Sequence, residues 1–105
     1  EITLPTGKDR FGKERTAVCC LSSLNLEKYD EWKEIPGIIE DIMRFLDNVL
    51  QDFIDRAPDS MEKARYSAMR ERSVGLGVMG FHTFLQKKIG PLEALTALSC
   101  NLIIF

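Results

Sequence analysis

The chain has 105 residues, a net charge of −2, 45% hydrophobic and 29% charged residues, and three cysteines. That length supports one domain at most, and roughly two-thirds of its unfolded surface can be buried on folding. The charge offers no electrostatic pull on nucleic acid or an anionic membrane, no apolar run reaches the length of a membrane span, and the odd cysteine count without a spacing ladder points away from a secreted disulfide scaffold towards a reducing, cytoplasmic compartment.

Residues 1–5 alternate polar and apolar, which predicts a short strand. A strand-like run beginning at Glu1, without a leading Met, leads to the expectation that the chain is a piece of something larger. Residues 5–15 form a charged turn region with Gly7 and Gly12, and residues 16–21 read as a second strand, so the opening is predicted to be a β-hairpin with a long polar tip. Lys8, Arg10, Lys13 and Arg15 in that tip raise phosphate binding, but Asp9 and Glu14 are interspersed, and a solvated loop is the preferred reading.

Ser22, Ser23 and Asn25 supply turn and capping chemistry ahead of a short helix over 26–35, which Pro36 ends. Over 37–56, Ile38, Ile39, Ile42, Phe45, Leu46, Val49, Leu50, Phe53 and Ile54 recur at helical spacing, with acidic and polar residues on the other side. This is a core-packing helix, and its acidic polar face disfavours a membrane surface. After Ala57-Pro58, Asp59 with Glu62 fits a variant capping box and opens a helix over 60–70. A glycine-rich block follows, then helices over 79–89 and 91–101 separated by Gly90-Pro91. No internal repeat or low-complexity tract is present.

Gly75, Gly77 and Gly80 spell G-x-G-x-x-G, but the preceding residues are helix-prone, and the next acid, Glu93, falls inside a predicted helix. The dinucleotide fingerprint needs a strand before the loop and an acid at the end of the following strand. Close backbone packing is therefore the expected use of these glycines. His82, the lone histidine, has no local partner for nucleophilic catalysis; no Cys-x-x-Cys exists for a metal; Cys100 reads as a small buried hydrophobe.

The adjacent thiols Cys19 and Cys20 dominate what is left. On a strand they point to opposite faces, and a bridge between neighbours strains the intervening peptide, so a reacting thiol takes its partner from elsewhere. On residue chemistry alone, Cys19 is a buried strand cysteine.

Three blocks in order carry a resemblance: Glu1-Ile2-Thr3-Leu4-Pro5-Thr6, Ala17-Val18-Cys19-Cys20-Leu21-Ser22-Ser23-Leu24-Asn25-Leu26, and Arg70-Glu71-Arg72-Ser73-Val74-Gly75-Leu76-Gly77-Val78-Met79-Gly80-Phe81. With them the sequence resembles the catalytic large subunit of class I ribonucleotide reductase. The resemblance implies an α/β fold, mainly helical over this stretch, with residues 1–105 forming part of a ten-stranded α/β barrel. It implies an oxidoreductase that converts ribonucleotides to deoxyribonucleotides by thiyl-radical chemistry. Glu1 matches the family's general base for the 3′ hydroxyl proton, and Cys19 matches one of its two redox cysteines, while Cys20 falls where the family tolerates other residues.

The family's thiyl cysteine, the redox partner of Cys19, the relay tyrosines, the effector sites and the tail dithiol have no counterpart in these residues, so this segment is expected to bind no cofactor itself and to be inactive alone. The resemblance implies a small subunit carrying a metal–tyrosyl radical, nucleotide effectors, a ribonucleoside diphosphate substrate, and thioredoxin or glutaredoxin as reductant. The remainder of the large subunit is a further implied partner. After Pro91 the sequence drifts from the family pattern. A split-gene assembly piece and a non-catalytic remnant forming a small helical domain are the alternative readings.

Overall fold

A computed structural model describes residues 3–88. The element order is β1 (Gly7–Lys8), β2 (Glu14–Arg15), β3 (Cys20–Asn25), α1 (Tyr29–Trp32), α2 (Ile38–Arg56), α3 (Glu62–Glu71), β4 (Val74–Met79) and α4 (Phe81–Lys88), with 3-10 turns at Leu26–Lys28 and Asp59–Met61. The described residues divide into two compact units, one of 3–22 with 37–76 and one of 23–36 with 77–88. Strands and helices are mixed, as in an α/β fold, and the described residues contain two two-stranded pairs rather than a closed barrel. The helix expected over 91–101 lies outside the described residues, as do Glu1 and Cys100.

In the first unit Leu50 and Ile54 of α2 pack with Ala68 of α3, and Leu46 of α2 and Ala64 and Ser67 of α3 are buried as well. Small residues let two helices approach closely, and the resulting core of Leu50, Ile54 and Ala68 is completed by Val18, Cys20, Phe53 and Val74. Gly37 opens α2 at φ +70°, accepting the Asp41 N–H at 2.9 Å, while Glu40 and Asp41 in the first turn and Arg56 in the last complement the helix dipole. α3 ends at Arg72, a non-glycine residue at φ +45° whose N–H bonds the Ala68 carbonyl at 3.0 Å. Its guanidinium donates to Gln51 Oε1 at 2.7 Å and Asp47 Oδ1 at 2.8 Å, which helps offset the left-handed backbone.

The second unit is built on Leu26, Phe84 and Leu85, with Tyr29, Trp32 and Phe81 packed against them. Tyr29 meets Trp32 and Phe84 edge-on, at centroid distances of 5.0 and 5.5 Å. Trp32 Nε1 donates to the Asn25 carbonyl at 2.9 Å, and the Asn25 side chain accepts the Glu27 N–H at 3.0 Å, capping the turn at Leu26.

The structure corrects several sequence expectations. Of the strands expected over 1–5 and 16–21, the described residues 3–6 and 16–19 form none. The hairpin closes at the tip, with Gly7 opposite Arg15 and Lys8 opposite Glu14. The second strand runs later, over Cys20–Asn25, taking Ser22 and Ser23 out of the expected turn. Its partner is β4, a glycine-rich segment poor in the side chains that mark strands locally. The Cys20 N–H reaches the Ser73 carbonyl at 3.4 Å where both strands begin, and Asn25 meets Gly80 where both end, so the two run parallel. Asp59 starts a 3-10 turn and makes no capping bond, so the expected capping box is not formed. The helix predicted over 26–35 shortens to the turn plus α1, and that over 79–89 starts at Phe81 because Met79 belongs to β4.

A strand does precede the glycine motif's last residue, but Gly75 and Gly77 lie inside β4 rather than in a phosphate-cradling loop. Gly80 is the position that requires glycine. It sits at φ +76°, and a Cβ there would lie 2.8 Å from Asn25 Oδ1 and 3.1 Å from the Glu27 nitrogen.

Gly80→Ala is therefore expected to displace the Asn25 cap and to cost about 1–3 kcal/mol; hydrogen exchange at the Glu27 amide should quicken. Ser67 lies fully buried with a hydroxyl that has no partner. Ser67→Ala should raise the unfolding free energy by about 1 kcal/mol, read as a higher denaturant midpoint, since it removes an unsatisfied buried group and improves helix propensity.

Candidate functional site

At the entry to β3, Val18 and Cys20 pack on the core of the first unit. Cys19 lies between them, immediately before β3, and does not pack on that core; the alternation that Val18 and Cys20 follow implies the opposite face for its side chain. Both thiols are free and half-buried, and Leu21 is 65% exposed. Burial, with the neighbouring Cys20 second, pushes the Cys19 thiol above the ordinary range. At neutral pH it is a protonated S–H, directed at the Cys20 carbonyl 3.7 Å away. Such a group gives up a hydrogen or, paired with a second thiol, two electrons; it is not a standing thiolate nucleophile.

The other sequence-derived candidates do not join it. Glu1 and Cys100 lie outside the described residues, and His82 is exposed on α4 in the second unit. Among the described residues no group of three or more potential metal ligands occurs. Cys20, which packs on the core, is the one other cysteine among the described residues, and no disulfide joins the two.

The hairpin holds a second polar constellation, which sequence reasoning treated as solvated loop. Asp9 Oδ1 accepts the Phe11 N–H at 2.9 Å and the Lys13 N–H at 3.0 Å, and Gly12 at φ +79° closes the turn. Asp9 Oδ2 accepts the Tyr66 hydroxyl from α3, and the Lys13 ammonium lies 4.7 Å from the centre of the Tyr66 ring. Arg15 bridges to Glu71 at 3.4 Å, Glu14 to Lys63 at 2.6 Å, and the Thr16 N–H bonds the Lys63 carbonyl at 3.1 Å. The local signal for the turn, Asp9 followed three residues later by Gly12, was legible; its anchor, Tyr66, lies 57 residues away.

The Tyr66 hydrogen bond holds Asp9 below the usual carboxylate range, and Asp9 holds Tyr66 above the usual phenol range. For Asp9 the contribution is present above its unfolded pKa and lost as pH falls through the depressed one. For Tyr66 it is present below the unfolded value and lost as pH rises through the raised one. The hairpin is thus expected to stay docked on α3 between those limits. In a Tyr29→Phe background, spectrophotometric titration should show Tyr66 ionising late, and Asp9→Ala should bring it back towards an ordinary phenol while the Phe11 and Lys13 amides exchange faster. An unmoved Tyr66 titration would show that the contact does not form.

A parallel strand pair with helices α1, α2 and α3 between its strands defines a segment of an α/β protein. The sequence pattern of the ribonucleotide reductase barrel domain matches residues 1–105. The chain is 52% identical to the ribonucleoside-diphosphate reductase large subunit of Invertebrate iridescent virus 6, over all of this chain and 10% of that protein. It is 46% identical to the large subunit of Invertebrate iridescent virus 3, again over its whole length and 16% of the relative. Among solved structures, the Actinobacillus ureae class Id ribonucleotide reductase alpha subunit superposes with a TM-score of 0.75 at 37% identity, covering 86% of this chain and 18% of that one. The chain belongs to the ribonucleotide reductase barrel-domain family, and it spans between about a tenth and a fifth of these relatives.

Proposed function

We propose that this chain serves as the segment of a ribonucleoside-diphosphate reductase large subunit that brings one redox cysteine and one general base to the ribose. The observation that carries it is the orientation at the start of β3: Cys20 is committed to the helical core, which leaves Cys19 as the thiol free to face a substrate.

In this reading Cys19 supplies one of two thiols that are oxidised together to a disulfide. The two electrons released reduce the ribose at C2′, whose hydroxyl departs as water after taking up a proton. Keeping Cys19 protonated until that moment is what its half-buried setting favours. Its partner thiol comes from the remainder of the large subunit, and Glu1 takes the 3′ hydroxyl proton, a carboxylate's usual general-base task. A small subunit carrying a metal–tyrosyl centre would supply the radical, which no residue of this segment holds. Ribonucleoside diphosphate is the substrate, and cytoplasmic thioredoxin or glutaredoxin returns the disulfide to thiols. No described helix is long and apolar enough to cross a membrane.

The test is made in the complete large subunit carrying this segment, paired with its small subunit and a dithiol reductant. Cys19→Ser should abolish multiple turnover, Cys20→Ser should leave turnover within a few-fold, and Glu1→Gln should retain nucleotide binding while slowing chemistry by about 10²–10⁴-fold. After one turnover the disulfide should map to Cys19. A bridge at Cys20, or a dead Cys20→Ser variant, would show that the strand is read one residue out of register.

A further inference from the structure

We propose that the cleft between the hairpin and the end of α3 is a binding site for a phosphoryl chain, such as pyrophosphate or the phosphate tail of a nucleotide. The cleft encloses about 330 Å³ and is lined by Lys8, Asp9, Arg10, Phe11, Arg15, Arg70 and Glu71. That volume lies at the lower end of the range of small-ligand sites, larger than a lone phosphate needs. Four cations face two carboxylates there, in a chain whose net charge is −2, so the cleft concentrates positive charge against the trend of the molecule.

Neither acid neutralises the site fully. The Asp9 carboxylate is taken up by the Phe11 and Lys13 amides and the Tyr66 hydroxyl, and Glu71 answers Arg15 alone, at 3.4 Å. Lys8, Arg10 and Arg70 form no ion pair with a described carboxylate. Arg10 and Arg70 are held instead over the ring of Phe11, with guanidinium carbons 4.8 and 5.5 Å from its centre. A cation–π contact uses the neighbourhood of the ring face and leaves guanidinium N–H groups for an oxyanion, which arginine binds in paired fashion. The loop that presents Lys8 and Arg10 is already ordered by Asp9, Gly12 and the Tyr66 anchor, and Arg70 lies on α3, so binding would not have to organise the site. A mobile, solvated loop would give the same composition without this arrangement; the docked hairpin is what makes it a site.

The proposal is tested by calorimetric titration of inorganic pyrophosphate into the complete large subunit carrying this segment. The unmodified subunit should bind a pyrophosphate equivalent that Arg10→Ala/Arg70→Ala weakens about tenfold or more, with affinity falling as salt is raised. Lys8→Ala, an exposed change outside both cores, should weaken it too and guards against misfolding of the double variant. A parallel titration with adenosine diphosphate distinguishes the sources: displacement of the variant-sensitive pyrophosphate equivalent by the nucleotide identifies a nucleotide tail, and its persistence identifies free pyrophosphate. Absence of a pyrophosphate equivalent, binding unchanged in both variants, or a response to oligoglutamate peptide alone would overturn the proposal. Arg10 and Arg70 take no part in the thiol chemistry, so failure here leaves the behaviour of Cys19 untouched, and the reverse holds equally.

Discussion

Contact between α2 and α3 through Ala64, Ser67 and Ala68 decides what the rest of the first unit can do. With small side chains at that contact, Leu50 and Ile54 reach over α3 to a layer formed by Val18, Cys20 and Val74. The start of β3 and of β4 is thereby pinned by alternate residues, and strand geometry leaves no choice for the residue in between. A bulky residue at Ala68 would push the strand layer away and loosen the orientation on which the thiol assignment rests. The buried, unpartnered hydroxyl of Ser67 shows that the small size of this side chain, rather than its polarity, is what the contact uses.

Two further devices set chain direction at the ends of elements. Arg72, left-handed without being glycine, ends α3 and starts the turn into β4, held by its fork onto Asp47 and Gln51 of α2. Gly80 does the corresponding task after β4, where Asn25 and the Glu27 amide leave no space for a Cβ. Within the first unit, Ile39, Phe45 and Val49 of α2 nonetheless remain exposed, at 44%, 63% and 41%. The apolar half of α2 is therefore wider than the face α3 and the strands cover, a property of a helix whose sequence encodes more contact than this unit provides.

The sequence by itself determined the long helix over Ile38–Arg56, because nine apolar residues at helical spacing admit no other burial. It determined the family as well, through three blocks in order, and alternation predicts opposite faces for Cys19 and Cys20. Which of the two faces the core was not contained in that alternation; it was decided by α2 and α3, whose packing partners lie 30 and more residues downstream of β3. The hairpin register likewise depended on Tyr66 and Lys63, and the strand pairing on a glycine-rich partner with weak local preference of its own. Local periodicity records how one element buries itself. It carries no information about non-local partners, and here those partners set the direction of the thiol and turned a charged loop into a cleft.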